Sequence, residues 1–214
     1  MADHTEVPGP ATRGYAKGRA RRARIVRTAF AAFSALGFRN ASLVQIAADS
    51  GVTRAGLVHH FPTKESLLIA VLEERDRLDH EQFFADMAAP IDGLDVLGRF
   101  LRLVHANDSR RGIVSLFAVL STEASDPDHP AHEYFVTRYV NLRRQLRAAF
   151  ADLADRGLLR PGVQVDGLEI ELIATIDGLQ VQWLLDPASV DMAALLRSRI
   201  DDLLTTPGSL ADRE

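Results

Sequence analysis

A chain of 214 residues, 47% of them apolar, can bury a core of ordinary size, and its lack of cysteine removes disulfides, thiolate metal ligands and a cysteine nucleophile. No apolar run approaches the roughly 18 residues that span a bilayer and the N-terminus has no signal-like apolar stretch, so a cytoplasmic location with no membrane contact is expected. The net charge of −4 hides a division: residues 1–64 hold ten lysines and arginines against three acids, a balance of +7, which leaves −11 for the remainder and one end suited to a polyanion.

Residues 1–16, with Pro8, Gly9, Pro10 and Gly14, read as a flexible arm. From Lys17 to Leu36 the apolar residues Ile25, Val26, Ala29, Phe30 and Phe33 recur at helical spacing, and Gly37 ends the run. Ser42 and Gln45 have the spacing of a capping box, which starts a second helix over Leu43 to Asp49. Gly51 stands where the chain must turn sharply with positive φ, and Thr53 is placed to cap a third helix ending at His60. Pro62 bars its extension, and Thr63 can cap a fourth helix whose apolar positions Leu67, Leu68, Val71, Leu72, Leu78 and Phe83 continue to about Met87.

Beyond Pro90, helical patterns fall near 92–107, 111–125, 130–156, 166–185 and 190–204, separated by Gly, Pro and Asp clusters, with no period-2 strand. The expected fold is all-α with about nine helices, and residues 206–214 read as a loose tail.

Two short helices joined at Gly51 form a helix-turn-helix, whose second helix enters the major groove by its N-terminal end. Thr53, Arg54, Ala55 and Gly56 should therefore lie nearest the bases of double-stranded DNA. The guanidinium fork of Arg54 matches guanine O6 and N7, with a plain phosphate contact as the alternative. Gly56 costs helix propensity relative to alanine, which implies a tight approach to DNA or to a neighbouring helix. Ser42, Thr53 and Lys64 sit at helix starts, where amides and the dipole favour phosphate. Arg19, Arg21, Arg22 and Arg24 extend this basic surface, as a minor-groove or backbone contact or as long-range attraction.

The segments Gln45-Ile-Ala, Ser50-Gly-Val-Thr-Arg and His60-Phe-Pro-Thr-Lys-Glu-Ser-Leu-Leu resemble the TetR family of one-component transcriptional regulators over about residues 19–72. The resemblance implies a helix-turn-helix DNA-binding domain (17–62) and a larger helical effector-binding and dimerisation domain (63–205). It also implies repression at a palindromic operator, relieved by a small molecule. Where the family commonly has Gly-Thr/Ser-Leu-Tyr, this chain has Ala55-Gly56-Leu57-Val58, so the tyrosine that holds phosphate is missing and His59 is the substitute. By the same analogy His60 packs at the corner with Phe61. Adjacent His59 and His60 point in different directions, which argues against a shared metal.

In the resemblance, the helices of 166–204 pair two copies into a homodimer. Helix 166–185 carries apolar residues on more than one side, so a partner or neighbouring helices must cover it. Phe100, His105, Phe117, Glu123, Tyr134, Arg138, Asp177, Gln180 and Trp183 are the candidates for an effector pocket, each with core or surface duty as the alternative. No cofactor is expected, and no phosphate loop, nucleophile elbow or zincin histidine pair points to an enzyme. The nearest metal-like group is Asp126, Asp128, His129, His132 and Glu133, which also reads as a loop and an acidic helix start. The remaining rival, a nonspecific architectural DNA binder, fits poorly with an acidic body of this size.

Overall fold

The computed structural model describes residues 10–87 and 90–210, and among them every regular element is a helix. The backbone divides into two compact units, Met1–Glu74 and Arg75–Glu214. The division falls inside a helix rather than at the Pro62 corner.

The first unit begins with α1 (Pro10–Asn40), which starts well before the expected Lys17. Proline is tolerated in a first turn because its missing N–H has no intrahelical partner there. Residues 10–16 of the expected arm are therefore helical, and residues 1–9 lie outside the described residues. Gly37, at φ 76° and ψ 162°, breaks the helical path where the sequence placed a stop. α2 (Leu43–Asp49) and α3 (Arg54–His60) follow, turned at Gly51 with φ 63° as expected. The core of this unit consists of Ile25, Val26, Ala29 and Phe33 from α1, Ile46 and Ala47 from α2, Leu57 and Phe61 around α3, and Leu67, Leu68, Val71 and Leu72 from the start of α4 (Lys64–Phe83). Each fully buried large side chain contributes roughly 1.5–3 kcal/mol.

The capping box lies elsewhere than expected. Ser42 is the N-cap of α2 but its hydroxyl makes no cap bond, and the Gln45 amide donates to Asp49 Oδ1 at 2.7 Å instead. An i,i+4 partner on the same helix face satisfies the glutamine without the reach back. The reciprocal arrangement occurs at α4, where the Ser66 amide donates to Thr63 Oγ1 at 3.0 Å and the Thr63 amide to Ser66 Oγ at 3.2 Å.

The second unit holds the end of α4 together with α5 (Gly93–Ala106), α6 (Arg111–Glu123), α7 (His132–Asp155), α8 (Leu168–Leu185) and α9 (Met192–Asp201), close to the expected spans. Asp92 caps α5, accepting from the amides of Leu94 and Asp95. At that cap α5 meets α7 so closely that a Cβ on Gly93 would lie 2.4 Å from the Ala149 carbonyl oxygen. The core includes Leu97 and Leu101 of α5, Leu146, Phe150 and Leu153 of α7, Leu172 and Trp183 of α8, and Leu196 and Ile200 of α9. Residues 206–210, expected as the start of a loose tail, turn back onto this core. Leu210 is fully buried and the Gly208 amide donates to Asp201 Oδ1 at 2.9 Å. Residues 211–214 lie outside the described residues.

Candidate nucleic-acid interface and effector cavity

In the first unit, Thr53 caps α3 as expected, its hydroxyl accepting from the Gly56 amide at 3.0 Å. This contact also explains the glycine, since a Cβ on Gly56 would sit 3.3 Å from Thr53 Oγ1. The tight approach is thus to the helix's own cap rather than to another helix. Leu57 faces the core, which turns Arg54, Ala55, Val58 and His59 outward, all exposed. Ser42 is exposed at the start of α2. Arg19, Arg21, Arg22 and Arg24 are exposed along α1, with the Arg22 guanidinium 4.9 Å from the centre of the Phe61 ring. Burial, followed by the charges of His59, Arg21 and Arg22, holds His60 below its ordinary value.

Lys64 has an internal task. Its ammonium donates to the Arg39 carbonyl at 3.0 Å and lies 4.9 Å from the centre of the Phe38 ring. A lysine at a helix start was expected to face phosphate, and here it also fastens the end of α1. Sequence spacing gave no sign of this pairing, because the partners are 25 residues apart.

The second unit contains a charge cluster that the sequence reading missed. Arg75 is 7% exposed and Asp79 6% exposed, both on α4. Arg75 Nε lies 2.8 Å from Asp79 Oδ2, an ion pair without hydrogen-bond alignment. Arg110 reaches Asp79 Oδ1 at 2.9 Å, while Asp76 takes the Tyr134 hydroxyl at 2.6 Å and a guanidinium nitrogen of Arg138. The ring of Phe117 is flanked by the guanidiniums of Arg75 at 4.4 Å and Arg138 at 5.1 Å from its centre. Burial pushes the Arg75 guanidinium below its usual range, aided by Arg138 and opposed by Asp79 and Asp76.

Beside this cluster is a cavity of about 70 Å³ with an apolar wall that includes Leu103, Val114 and Ile176. Of the nine expected effector residues, Phe100, Phe117, Arg138, Asp177 and Gln180 line it. The other four do not. His105 is exposed and pairs with Asp108 at 3.5 Å. Glu123 lies 4.0 Å from His129. Tyr134 is held by Asp76 behind Phe117, and Trp183 is buried in the core with Arg111 over its ring. An aromatic or polar residue type could not by itself distinguish these surroundings. The wall also includes Arg75, Asn107, Ser121 and Tyr139, which the sequence reading did not pick. Asn107 is 2% exposed and its side-chain oxygen has no hydrogen-bond partner. Asp177 accepts from the Tyr139 hydroxyl at 2.8 Å. Burial raises the carboxyl above its usual range and, with the Asp177 charge, pushes the phenol up to about 12.

The histidines of the metal-like segment are tied to separate backbone groups. His129 Nδ1 accepts from the Ala131 amide, and His132 Nδ1 lies 2.8 Å from the Ala124 carbonyl. Among the described residues no three His, Asp or Glu side chains are placed to hold a metal ion. Likewise no helix among them is long and apolar enough to cross a membrane.

On α8 and α9 the apolar residues Ile170, Val181, Leu185 and Leu195 are 48–81% exposed, and Ala174 and Gly178 share the outward side of α8. The second apolar side expected of helix 166–185 is therefore left uncovered within one chain.

Residues 25–71 match the family described as bacterial regulatory proteins, tetR family, and residues 99–205 match the BetI-type transcriptional repressor C-terminal domain. The HTH-type transcriptional regulator TtgR of Pseudomonas putida is 26% identical over 184 residues, covering 84% of this chain and 88% of the relative. The HTH-type transcriptional regulator RutR of Escherichia coli is 42% identical over 55 residues, 26% of each chain. Among solved structures, a transcriptional regulator from Saccharomonospora viridis in complex with choline superposes with a TM-score of 0.75. That match has 22% identity and covers 86% of this chain and 98% of the other, a likeness of fold.

Proposed function

Because the chain belongs to the TetR family of transcriptional regulators, we propose that it represses genes from a palindromic operator, which it holds as a homodimer and leaves when a small molecule fills the cavity beside Phe117. The observation that carries the reading is the outward face of α3, where Thr53 fixes the helix start and Arg54, Ala55 and His59 stand clear of the core. Arg54 reads guanine, Ala55 and Gly56 let the helix sit close to the bases, and Ser42, Thr53, His59 and Lys64 hold phosphates. Two copies pair through the uncovered apolar side of α8 and α9, since one helix reads too few base pairs for useful specificity. The domain that binds DNA runs over 17–62, and the effector and dimerisation domain over 63–205. The protein works in the cytoplasm and carries out no catalysis.

The wall of the cavity suits an effector that is mostly apolar with a few polar groups, and at about 70 Å³ the cavity widens to admit one. The S. viridis relative of this fold, in complex with choline, supports a ligand-binding body. The effector acts by favouring a dimer whose recognition helices are out of step with successive major grooves, about 34 Å apart. A tenfold loss of DNA affinity needs only about 1.4 kcal/mol of coupling.

Selection from random duplex DNA at near-physiological salt tests the reading, with Arg54→Ala alongside. A palindrome is expected, with its preference relaxed by Arg54→Ala. Binding without sequence preference and with a steep salt slope would overturn it in favour of an architectural protein.

A further inference from the structure

Val58 is an apolar side chain on α3 that its own core does not use. It is 38% exposed, while Leu57 beside it is fully buried. It lies one helical turn beyond Arg54 and three residues after Ala55, so the three share the outward face. Valine has no polar atom and cannot hold a phosphate. Its neighbours on this face, Arg54 and His59, are polar and exposed.

In the major groove guanine, adenine and cytosine present hydrogen-bonding atoms, and thymine alone adds a methyl group. An isopropyl group facing base edges therefore has one complementary partner. Four residues of helix rise amount to about 6 Å, close to two base-pair steps of about 3.4 Å. We propose that Val58 is a specificity-determining residue that packs on the C5 methyl of a thymine within about two base pairs of the guanine read by Arg54. This rests on the reading of α3 as the recognition helix.

The experiment uses the full-length protein and the selected operator as synthetic duplexes. Each thymine of a half-site is replaced in turn by uracil, which removes only the methyl, and affinity is read by fluorescence anisotropy at fixed salt for wild type and Val58→Ala. At one thymine in the stated window the replacement should weaken the wild type about four-fold, the worth of one buried methyl group. The same replacement should leave Val58→Ala unchanged. Circular dichroism of the variant should match the wild type, since the side chain lies outside the core. Equal uracil effects for both proteins at every thymine, or a half-site without thymine in the window, would overturn the assignment while leaving the regulator intact. Absence of any sequence-selective binding by the wild type would overturn both.

Discussion

In residues 17–74 the arginines of α1 and α3 stand outside an apolar core, whereas residues 75–210 draw Arg75, Asp79 and Glu169 into theirs. Arg19, Arg21, Arg22, Arg24 and Arg54 are exposed, so the charge of the head is available to a polyanion at little cost in desolvation. The ionic groups of the body are engaged with one another. Glu169, 2% exposed, accepts from Arg147 at 3.1 and 2.5 Å, which with backbone amides outweighs its burial and keeps the carboxyl below its usual range. The same residue types thus stand exposed in one unit and serve internal order in the other. Exposure distinguishes the two uses; composition does not.

If the buried cluster can be cut without harm, the two units use charge alike. Arg75→Met should lower unfolding free energy by about 1–3 kcal/mol, because it leaves Asp79 Oδ2 buried with no cation beside it while Arg110 stays on Oδ1. Chemical denaturation measures this, and a neutral result would mean that the body's charges are as dispensable as the head's. Arg54→Ala is the counterpart. It should leave stability within about 0.5 kcal/mol while weakening operator binding by about 1–3 kcal/mol per half-site, read by anisotropy.

Thr53→Ala should cost about 1 kcal/mol through loss of the α3 cap. Gly56→Ala should be better tolerated in that background than alone, because the cap hydroxyl is what its methyl would crowd. Thermal melts of the two single variants and the double variant give the coupling. Asp177→Asn is the gentlest. The folded carboxyl titrates above its unfolded value because it is buried, so its contribution is favourable at low pH and is lost as pH rises through that interval. The variant should therefore melt above the wild type at pH 7, with the difference shrinking as the pH falls to 4.

The sequence made the helix order, the Gly51 turn and the Thr53 cap legible, because each is a local event decided within four residues. It misplaced the capping box, since Gln45 has a carboxylate one turn ahead that no spacing rule ranks against the N-cap. It passed over Arg75, because Glu73-Glu74-Arg75-Asp76-Arg77 looks like a solvated helix face. It found Arg138 but not Asp76, 62 residues away. Residue type alone did not separate Trp183, which is buried in the core, or His105, which lines a different cavity with Arg102 and Asp191, from the residues beside Phe117. Pairings across the body are set by packing, and periodicity carries no trace of them.

The contact of α5 with α7 at Gly93 has a consequence for how this protein can vary. Every missense change of a glycine codon adds at least a Cβ, and here that atom would meet a backbone oxygen at 2.4 Å, a group that cannot rotate aside. Nothing about φ demands glycine at this position. Position 93 is therefore closed to substitution unless Ala149 and Leu153 shift with it, and in a saturation library it should tolerate as little as the most deeply buried leucines, although it contributes no side chain to the core.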